Sequence, residues 1–376
     1  MEVARHNFYL CAALILSCTA CERAGGTTPE TLEARPTVML QPVGGTAAVP
    51  NDADDPAIWI HPADKSKALI LGTDKHEKTG GLYVFGLDGT LRQSIPDIDR
   101  PNNVDVEYGL RLSRGPTDIA VLTERMRHRL RVFAISPAGR LSDLVPTGLP
   151  VLAGQSGEAG EPMGIALYRR PRDQAVFAIV APKTGGSENY LWQYRIDAGP
   201  DGKLRATLAR RFGRFSGVGR EADEIGEIEA VVVDDALGFV YYSDEGYGIR
   251  KYHVDPDHPD AGSELAAFAT SGFLGDREGL AIMPTGDFTG FIVVSDQIPA
   301  GTRVKLFPRE GSAGNPHAHP ELRTVATTSD DTDGLEVTAH RLPGFPGGLL
   351  VMMTAGSRNF LLYDWRAVIQ GSGIGD

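Results

Sequence analysis

The feature that most constrains this chain is a turn, rich in acidic and amide side chains, that runs directly into a short apolar segment and occurs six times. The six turns carry Asp54, Asn103, Glu161, Glu229, Asp276 and Asp331. In order, they are 49, 58, 68, 47 and 55 residues apart. A repeat of about that length matches one four-stranded blade of a β-propeller. The sequence therefore predicts an all-β fold, a six-bladed β-propeller, in which the six turns meet at one end of a central channel.

Composition and strand patterning support this prediction. The 376 residues are 41% hydrophobic and include 45 Gly and 25 Pro, which suits many short strands joined by tight turns. Each turn is followed by three strand-like segments, and an outer strand is expected between repeats. Pro36–Leu40 has no partner in the first repeat, so we expect it to close the ring by pairing with the last blade. Two stacked β-sandwiches are the alternative, which the sixfold recurrence disfavours.

The N-terminal residues are expected to lie outside the propeller. Residues 1–21 contain a short apolar run, Phe8–Leu16, that is typical of a signal peptide and too short to span a bilayer. The run ends among small residues at Cys18 and Cys21, either of which could carry a bacterial lipoprotein's lipid; simple cleavage is the alternative. Residues 22–36 are read as a flexible tether and residues 37–370 as the propeller. We expect an exported monomer, a periplasmic or outer-membrane lipoprotein at the cell surface or otherwise a secreted protein.

Charge indicates what the chain binds. A formal net charge of −12 argues against nucleic-acid binding, which needs a basic face. Carboxylate and amide oxygens are ligands for Ca²⁺, and the sequence offers neither a zinc-type cysteine set nor paired histidines at helical spacing. His317 and His319 form a weaker metal-like pattern, for which a solvated loop is the favoured interpretation.

A second pattern is cationic. Lys75, Arg125 and Lys183 each follow the second strand of a repeat, in the first, second and third repeats. Taken singly, each is typical of a solvated surface charge. The matching positions in repeats four to six are Asp244-Glu245, Asp296-Gln297 and Thr354. The pattern predicts a channel mouth that is half cationic and half anionic, which suits a small molecule carrying several phosphates.

At these residues the chain resembles the bacterial β-propeller phytases, over a stretch from about residue 50 to Trp365. The first, second and last motifs are specific together. The motifs are Asp54-Asp55-Pro56-Ala57-Ile58-Trp59, Asn102-Asn103-Val104-Asp105, Ile228-Glu229 with Asp234-Asp235, Glu278-Gly279-Leu280, and Ser329-Asp330-Asp331-Thr332-Asp333-Gly334.

The resemblance implies a phosphatase that uses several Ca²⁺ ions to hydrolyse phytate, myo-inositol hexakisphosphate, by direct attack of a calcium-activated water. The implied calcium ligands are Asp54, Asp55, Asn103, Asp105, Glu229, Glu245, Asp276, Glu278, Gln297, Asp331 and Asp333. The implied phosphate contacts are Lys75, Lys78, Arg125, Arg172 and Lys183. We expect catalysis to depend on Glu229, which holds or deprotonates the water, on Asp276, and on the three cations Lys75, Arg125 and Lys183.

The chain departs from the family pattern in three places. Met163 replaces a tyrosine in a Glu-x-Tyr-Gly motif, Gln41–Gly45 lacks an upstream glutamate, and Thr354–Ser357 replaces an acidic cluster. We expect these losses to weaken one or two calcium sites that rigidify the fold. Two alternatives stay open: a propeller lactonase or esterase with one buried calcium, and a non-catalytic, surface-anchored binding propeller.

Overall fold

The fold consists of six antiparallel sheets, and the strand order within each is that of a propeller blade. The computed structural model describes residues 39–219, 224–298 and 301–372. The innermost strand of each sheet contacts the innermost strands of the two neighbouring sheets, and the last contacts the first, so the sheets close into a ring. The prediction of a six-bladed β-propeller is confirmed. The segments predicted as signal peptide and tether, with Cys18 and Cys21, lie outside the described residues.

The first three blades follow the chain without crossovers. Blade 1 contains β2 Ala53–Trp59, β3 Leu69–Asp74, β4 Gly80–Gly86 and β5 Leu91–Ile98; blade 2 contains β6 Pro101–Leu112, β7 Gly115–Glu124, β8 Arg129–Ile135, β9 Leu141–Asp143 and β10 Leu149–Pro150; and blade 3 contains β11 Pro162–Arg169, β12 Val176–Pro182, β13 Glu188–Ala198 and β14 Leu204–Arg214. In blade 2 the expected outer strand is split, because β9 and β10 both pair with β8.

The last three blades repeat the same order. Blade 4 contains β15 Val231–Asp234, β16 Phe239–Asp244, β17 Gly248–His253 and β18 Ala266–Phe268; blade 5 contains β19 Leu280–Pro284, β20 Gly290–Asp296, β21 Arg303–Pro308 and β22 Arg323–Ala326; and blade 6 contains β23 Leu335–Thr338, β24 Leu349–Thr354, β25 Asn359–Asp364 and β1 Gly44–Gly45. Short 3₁₀ turns occupy Lys65–Lys67, Arg125–Arg127 and Gly157–Gly160, and the helix α1 spans Trp365–Ser372. None of the described helices is long and apolar enough to cross a membrane.

The ring is closed by an N-terminal strand in the last blade, but the predicted segment is wrong. The closing strand is β1, which pairs antiparallel with β25, whereas Leu40 makes only an isolated bridge to Thr327 beside blade 5. A Cβ on Gly45 would lie 3.2 Å from side-chain atoms of β25. Glycine at position 45 therefore permits a close approach to β25, whereas an added Cβ at Gly44 would meet no atom within 4 Å. Residues 36–38 of the predicted segment lie outside the described residues.

The core is divided into six apolar clusters, one between each pair of adjacent blades. Blades 1 and 2, for example, share Trp59, Leu82 and Phe133, while blades 6 and 1 share Phe85 and Phe360. Strands packed on both faces need apolar side chains in both directions, which explains the near-continuous apolar runs in the second and third strands. This packing holds the starts of all six inner strands around one channel.

Candidate active site

One end of the channel, here called the mouth, is where each innermost strand begins and each second strand ends. At four of the six second-strand ends the last residue is a buried carboxylate: Asp74, Glu124, Asp244 and Asp296. Each accepts hydrogen bonds from backbone N–H groups of the segment that leads into an inner strand. These carboxylates fasten the entering segments, because buried N–H groups need acceptors. They do not line the mouth, which corrects the expectation for Asp244 and Asp296.

In every blade, the residue that lies at the mouth is the one directly after the last residue of the second strand. The six positions are Lys75, Arg125, Lys183, Glu245, Gln297 and Ala355. Three consecutive blades therefore present cations and the fourth presents a carboxylate, as the pattern predicted. The sixth presents only a methyl group.

Lys75 lies between carboxylates of two blades. Its ammonium is 3.0 Å from Asp54 Oδ1 and in contact with Asp333 Oδ2. Burial opposes the lysine charge, but Asp54, Asp333 and Glu229 outweigh it and raise the pKa of Lys75. Burial, with the charge of Asp54, raises the pKa of Asp333 to about 6 despite the neighbouring lysine.

The other two cations are also paired with carboxylates at the mouth. Arg125 Nε donates to Glu161 Oε2 at 2.8 Å, and Lys183 contacts Glu227. Burial and the charge of Arg125 lower the pKa of Lys183. These pairs link blade 2 to blade 3 and blade 3 to blade 4 along the rim. The side chains remain between 8% and 22% exposed, so a ligand in the mouth can reach them.

Glu229 lies in the most acidic part of the mouth. Oxygens of Glu227, Glu229 and Glu245 lie within 4.8 Å of one another, which is a spacing that can hold a metal ion. Burial and the charge of Asp54 raise the pKa of Glu229 well above its ordinary value. A Cβ on Gly164 would lie 2.2 Å from the carbonyl oxygen of Glu229, so only glycine there lets blade 3 approach this close.

Blade 5 completes the acidic part. Asp276 and Gln297 form an isolated backbone bridge, and Gln297 Nε2 donates to Asp333 Oδ1 at 2.7 Å. Burial and the charges of Glu245 and Glu229 raise the pKa of Glu278 well above its ordinary value. Burial and Asp276 likewise raise the pKa of Glu245 to about 8. Burial is the main cause of these raised pKa values, and repulsion between neighbouring carboxylates adds to it.

Several buried oxygens at the mouth have no hydrogen-bond partner among the described residues. They are both carboxylate oxygens of Asp54, Oδ1 of Asn102, Oδ1 of Asn103 and Oε2 of Glu278. Asp54 is close to Lys75, but the angles at that contact are not those of a hydrogen bond. Buried acceptors without donors are costly unless a cation or water satisfies them. An all-oxygen set of this kind fits a hard divalent cation such as Ca²⁺.

A second acidic group, here called the inner group, lies deeper in the channel. Asp55 Oδ2 accepts a hydrogen bond from Val104 N at 2.9 Å, and Asp105 Oδ2 accepts one from Leu167 N at 2.7 Å. Both residues were predicted as ligands, and both fasten one inner strand to the next. Burial raises the pKa of Asp105 to about 6. Asp55, Asp105 and Glu336 line a cavity of about 40 Å³, which Asn103 and Glu278 of the mouth also border.

Three residues that were predicted to bind phosphate or calcium lie outside the buried acidic set at the mouth. Arg172 lies in the turn between β11 and β12, at the opposite end of blade 3, where it pairs with Asp255 and Asp257. The structure therefore corrects its assignment as a phosphate contact, because β11 separates it from the mouth. Asp331 is exposed in a turn at the mouth end, and Lys78 is exposed on the rim beside Asp99.

The histidine pair lies between β21 and β22, away from the mouth. His319 is buried, with Nδ1 2.6 Å from the carbonyl oxygen of Pro308 and Nε2 3.2 Å from Lys251. The solvated-loop interpretation is therefore wrong for His319. Burial lowers its pKa to about 4, so the ring stays neutral at ordinary pH.

Sequence reasoning missed several acidic and amide residues. Asn102 stands within a motif given above and Glu227 directly precedes another, but neither was assigned a role, although both contact site residues. Glu336, Glu107 and Asp235 also went unassigned, and burial raises the pKa of each. The signal that could have found Glu107 is the alternation of a strand, since it lies two residues past the predicted ligand Asp105 on β6.

The departures from the family pattern have visible structural consequences. Met163 is buried and offers no oxygen to the mouth. At the last blade, Thr354 Oγ1 donates to Asp330, which also accepts from Gly356 N at 3.3 Å. A hydrogen-bonded turn thus stands where an acidic cluster was expected, which leaves fewer oxygens there for a metal.

Comparisons with known proteins identify what the chain is similar to. The model of the Phytase family matches residues 10–359. The 3-phytase of Bacillus subtilis (strain 168) is 27% identical over 377 residues, which is 96% of this chain and 92% of that protein. A solved structure from Lactobacillus plantarum shows 15% identity and a TM-score of 0.49 over 85% of this chain and 82% of that one. A putative 6-phosphogluconolactonase from Bacteroides uniformis shows 16% identity and a TM-score of 0.48 over 82% and 80%.

Proposed function

The chain belongs to the phytase family, and from that membership we propose that calcium ions held at the mouth serve its reaction. The protein is a phosphatase that hydrolyses phytate, as its family and its 3-phytase relative indicate. Calcium is the finer part of the proposal. It is supported by the acidic set, because Ca²⁺ takes six to eight oxygen ligands in flexible geometry.

One observation carries the proposal: the mouth combines buried oxygens that lack partners with three cations on consecutive blades. Within the described part of the chain, oxygens of Asp54, Asn103 and Glu278 have no hydrogen-bond donor, while Lys75 and Lys183 lie a few ångströms from the same acidic set. A site made only of carboxylates would repel phosphate, and a site made only of cations would not bind a metal. The combination suits a substrate that carries several phosphates together with a divalent cation.

The residues expected to hold calcium are those whose oxygens converge at the mouth. They are Asp54, Asn103, Glu227, Glu229, Glu245, Asp276, Glu278, Gln297 and Asp333. Bound calcium supplies positive charge that offsets the charge of the phosphate and of the acidic set. The inner group, which includes Asp55 and Asp105, already fastens neighbouring strands, and we assign it to stabilising the channel.

Lys75, Arg125 and Lys183 position the substrate. Phosphate oxygens replace the carboxylate partners of these cations, and the guanidinium of Arg125 can donate two parallel hydrogen bonds. Blades 1 to 3 therefore bind the anionic groups, and the acidic blades 4 and 5 face the reacting phosphorus from the other side. Because the three cations belong to separate blades, they favour a ligand with more than one phosphate over a simple monoester.

Hydrolysis needs a base for water and a site that tolerates charge. The water oxygen attacks phosphorus, the bond from phosphorus to the inositol oxygen breaks, and that oxygen takes up a proton from solvent water. Glu229 is placed to accept the water proton, because it lies beside Glu227 and Glu245 in the acidic set and its raised pKa makes it a stronger base once bound cations keep it ionised. The nucleophile is thus water, which agrees with a mouth where no serine or cysteine stands beside a histidine base among the described residues.

Phosphate release from phytate tests the function and its metal dependence together. Wild-type protein is assayed with Ca²⁺ and with EDTA, beside Glu229→Gln and a control, Glu310→Gln, at an exposed position on the opposite end. We expect release with Ca²⁺, loss in EDTA, a loss of at least about 100-fold in Glu229→Gln, and no change in the control. If no phosphate is released from phytate in the presence of Ca²⁺, the phytase proposal is refuted. Release that persists in EDTA would leave a phosphatase without the calcium mechanism.

Localisation and assembly are also proposals. The apolar run before Cys18 and Cys21 supports export, as a lipid-anchored or a secreted protein, and a monomer remains the proposed state. Labelling with a radioactive fatty acid, in wild type and in Cys18→Ser and Cys21→Ser variants, tests the anchor. Absence of label in the wild type would leave simple cleavage.

A further inference from the structure

Asn102 is a buried amide at the mouth to which the sequence assigned no role. It lies near the start of β6, the innermost strand of blade 2, and only 1% of its surface is exposed. Its side chain reaches Glu229, which precedes the innermost strand of blade 4. The contact therefore joins two blades that are not neighbours in the ring.

The orientation of this amide follows from its partner. Nδ2 of Asn102 donates to Oε1 of Glu229. When cations at the mouth keep this carboxylate ionised, it can only accept, and turning the amide over would place two oxygens against each other. Oδ1 of Asn102 is consequently held away from Glu229, and it is buried without a hydrogen-bond donor among the described residues.

Glu229 needs such a partner because its other neighbours do not hold it in one place. Asp54, Asp333 and Glu245 repel its negative charge, and Lys75 and Lys183 oppose them. Both cations are themselves engaged, Lys75 by Asp54 and Asp333 and Lys183 by Glu227. Asn102 is therefore a neutral donor dedicated to Glu229, and it fixes one carboxylate oxygen while leaving the other, Oε2, for a proton or a cation.

We propose that Asn102 is a positioning residue for the phosphatase reaction. Its amide holds the Glu229 carboxylate in the orientation that accepts the water proton, and its free carbonyl oxygen adds one more oxygen to the cation-binding set. This inference rests on the proposed function. Residues that orient a ligand or a base typically contribute 10- to 100-fold in metal affinity or activity. A residue that only stabilised the fold would change the melting temperature without changing the turnover of folded enzyme.

The test compares Asn102→Asp, Asn102→Ala and a control, Asn315→Asp. Aspartate keeps the shape of asparagine but replaces the donor with an oxygen that repels Glu229, whereas alanine removes both ends of the amide. Asn315 lies between β21 and β22 at the opposite end, and its Oδ1 accepts from His317 N, which aspartate also allows. Each protein is purified, its melting curve in EDTA confirms folding, and kcat and KM are measured on phytate with saturating Ca²⁺. A second measurement titrates Ca²⁺ alone and follows the melting temperature.

We expect kcat to fall at least about tenfold in both Asn102 variants, with KM within about threefold of wild type. The Ca²⁺ concentration that gives half of the melting shift should rise about tenfold in Asn102→Ala. The control should match wild type in both measurements. An unchanged kcat in folded Asn102→Ala overturns the proposal, as does an unchanged calcium midpoint. If wild type itself releases no phosphate, the phytase function fails separately, and the calcium midpoint alone decides the role of Asn102.

Discussion

Replacement of Lys75 by methionine tests whether this lysine and calcium neutralise the same carboxylates. Methionine keeps most of the length of the side chain and removes the charge. In the protein without metal, the ammonium is 3.0 Å from Asp54 Oδ1 and also contacts Asp333. Asp54 is fully buried, so the substitution leaves its charge without a neighbouring cation.

The magnitude follows from this burial. Removing one partner of a buried ion pair costs about 3–5 kcal/mol, and the lower end applies because 22% of the Lys75 side chain is exposed. At about 2 °C per kcal/mol for a domain of this size, a loss of about 3 kcal/mol lowers the melting temperature by about 6 °C. Bound calcium would neutralise Asp54 in place of the lysine. The deficit should therefore shrink to less than about half in saturating Ca²⁺.

Melting curves of wild type, Lys75→Met and an exposed control, Lys203→Met, in EDTA and in Ca²⁺ provide the assay. We expect calcium to stabilise Lys75→Met more than wild type, and the control to follow wild type in both buffers. The Lys75 variant should also release phosphate from phytate more slowly, because a phosphate contact is lost. An equal deficit in EDTA and in Ca²⁺ would refute the reasoning, since it would mean that calcium and Lys75 serve different carboxylates.

Three further predictions follow from the packing. Gly164→Ala should lower phosphate release at least about tenfold, because the new methyl group would displace the carbonyl of Glu229; wild-type activity would contradict it. Arg309→Met should lower the free energy of unfolding by about 3–5 kcal/mol in urea, since it leaves Asp234 buried and unpaired, and the double variant with Asp234→Leu should recover most of this loss. His319 takes up a proton near pH 6.5 in the unfolded chain but only near pH 4 in the folded protein. The free energy of unfolding therefore falls as the pH drops between these values. At pH 5 this costs about 2 kcal/mol relative to pH 7, and His319→Gln should lose correspondingly less stability on acidification; equal losses would refute it.

Local patterns were sufficient for the fold because each blade is assembled from consecutive strands. The acidic turn, the three following strands and the spacing between repeats are all local in the chain, and only the closing strand pairs across its whole length. That strand was the one placed wrongly. Its position depends on the close approach of Gly45 to β25, which is a steric condition that no local pattern contains.

The candidate site was predictable in part for a similar reason. Lys75, Arg125 and Lys183 occupy equivalent positions in repeats, so repetition alone brought them together. Arg172 carried no such equivalence, and the length of β11 places it at the other end of the blade. Asn102 and Glu227 were missed because their roles come from partners in other blades, 127 and 44 residues away in the chain.

The sequence by itself determined the propeller, its six acidic turns and the half-cationic rim, because repetition and strand alternation encode them locally. Only the tertiary structure decided which carboxylates act together. Asp74 and Lys75 are adjacent, yet one fastens a loop and the other lies at the mouth. Asp54 and Asp55 are adjacent as well, and they separate into the mouth and the inner group. Successive side chains of a strand point in opposite directions, so the closure of the ring determines which of two neighbours reaches the site.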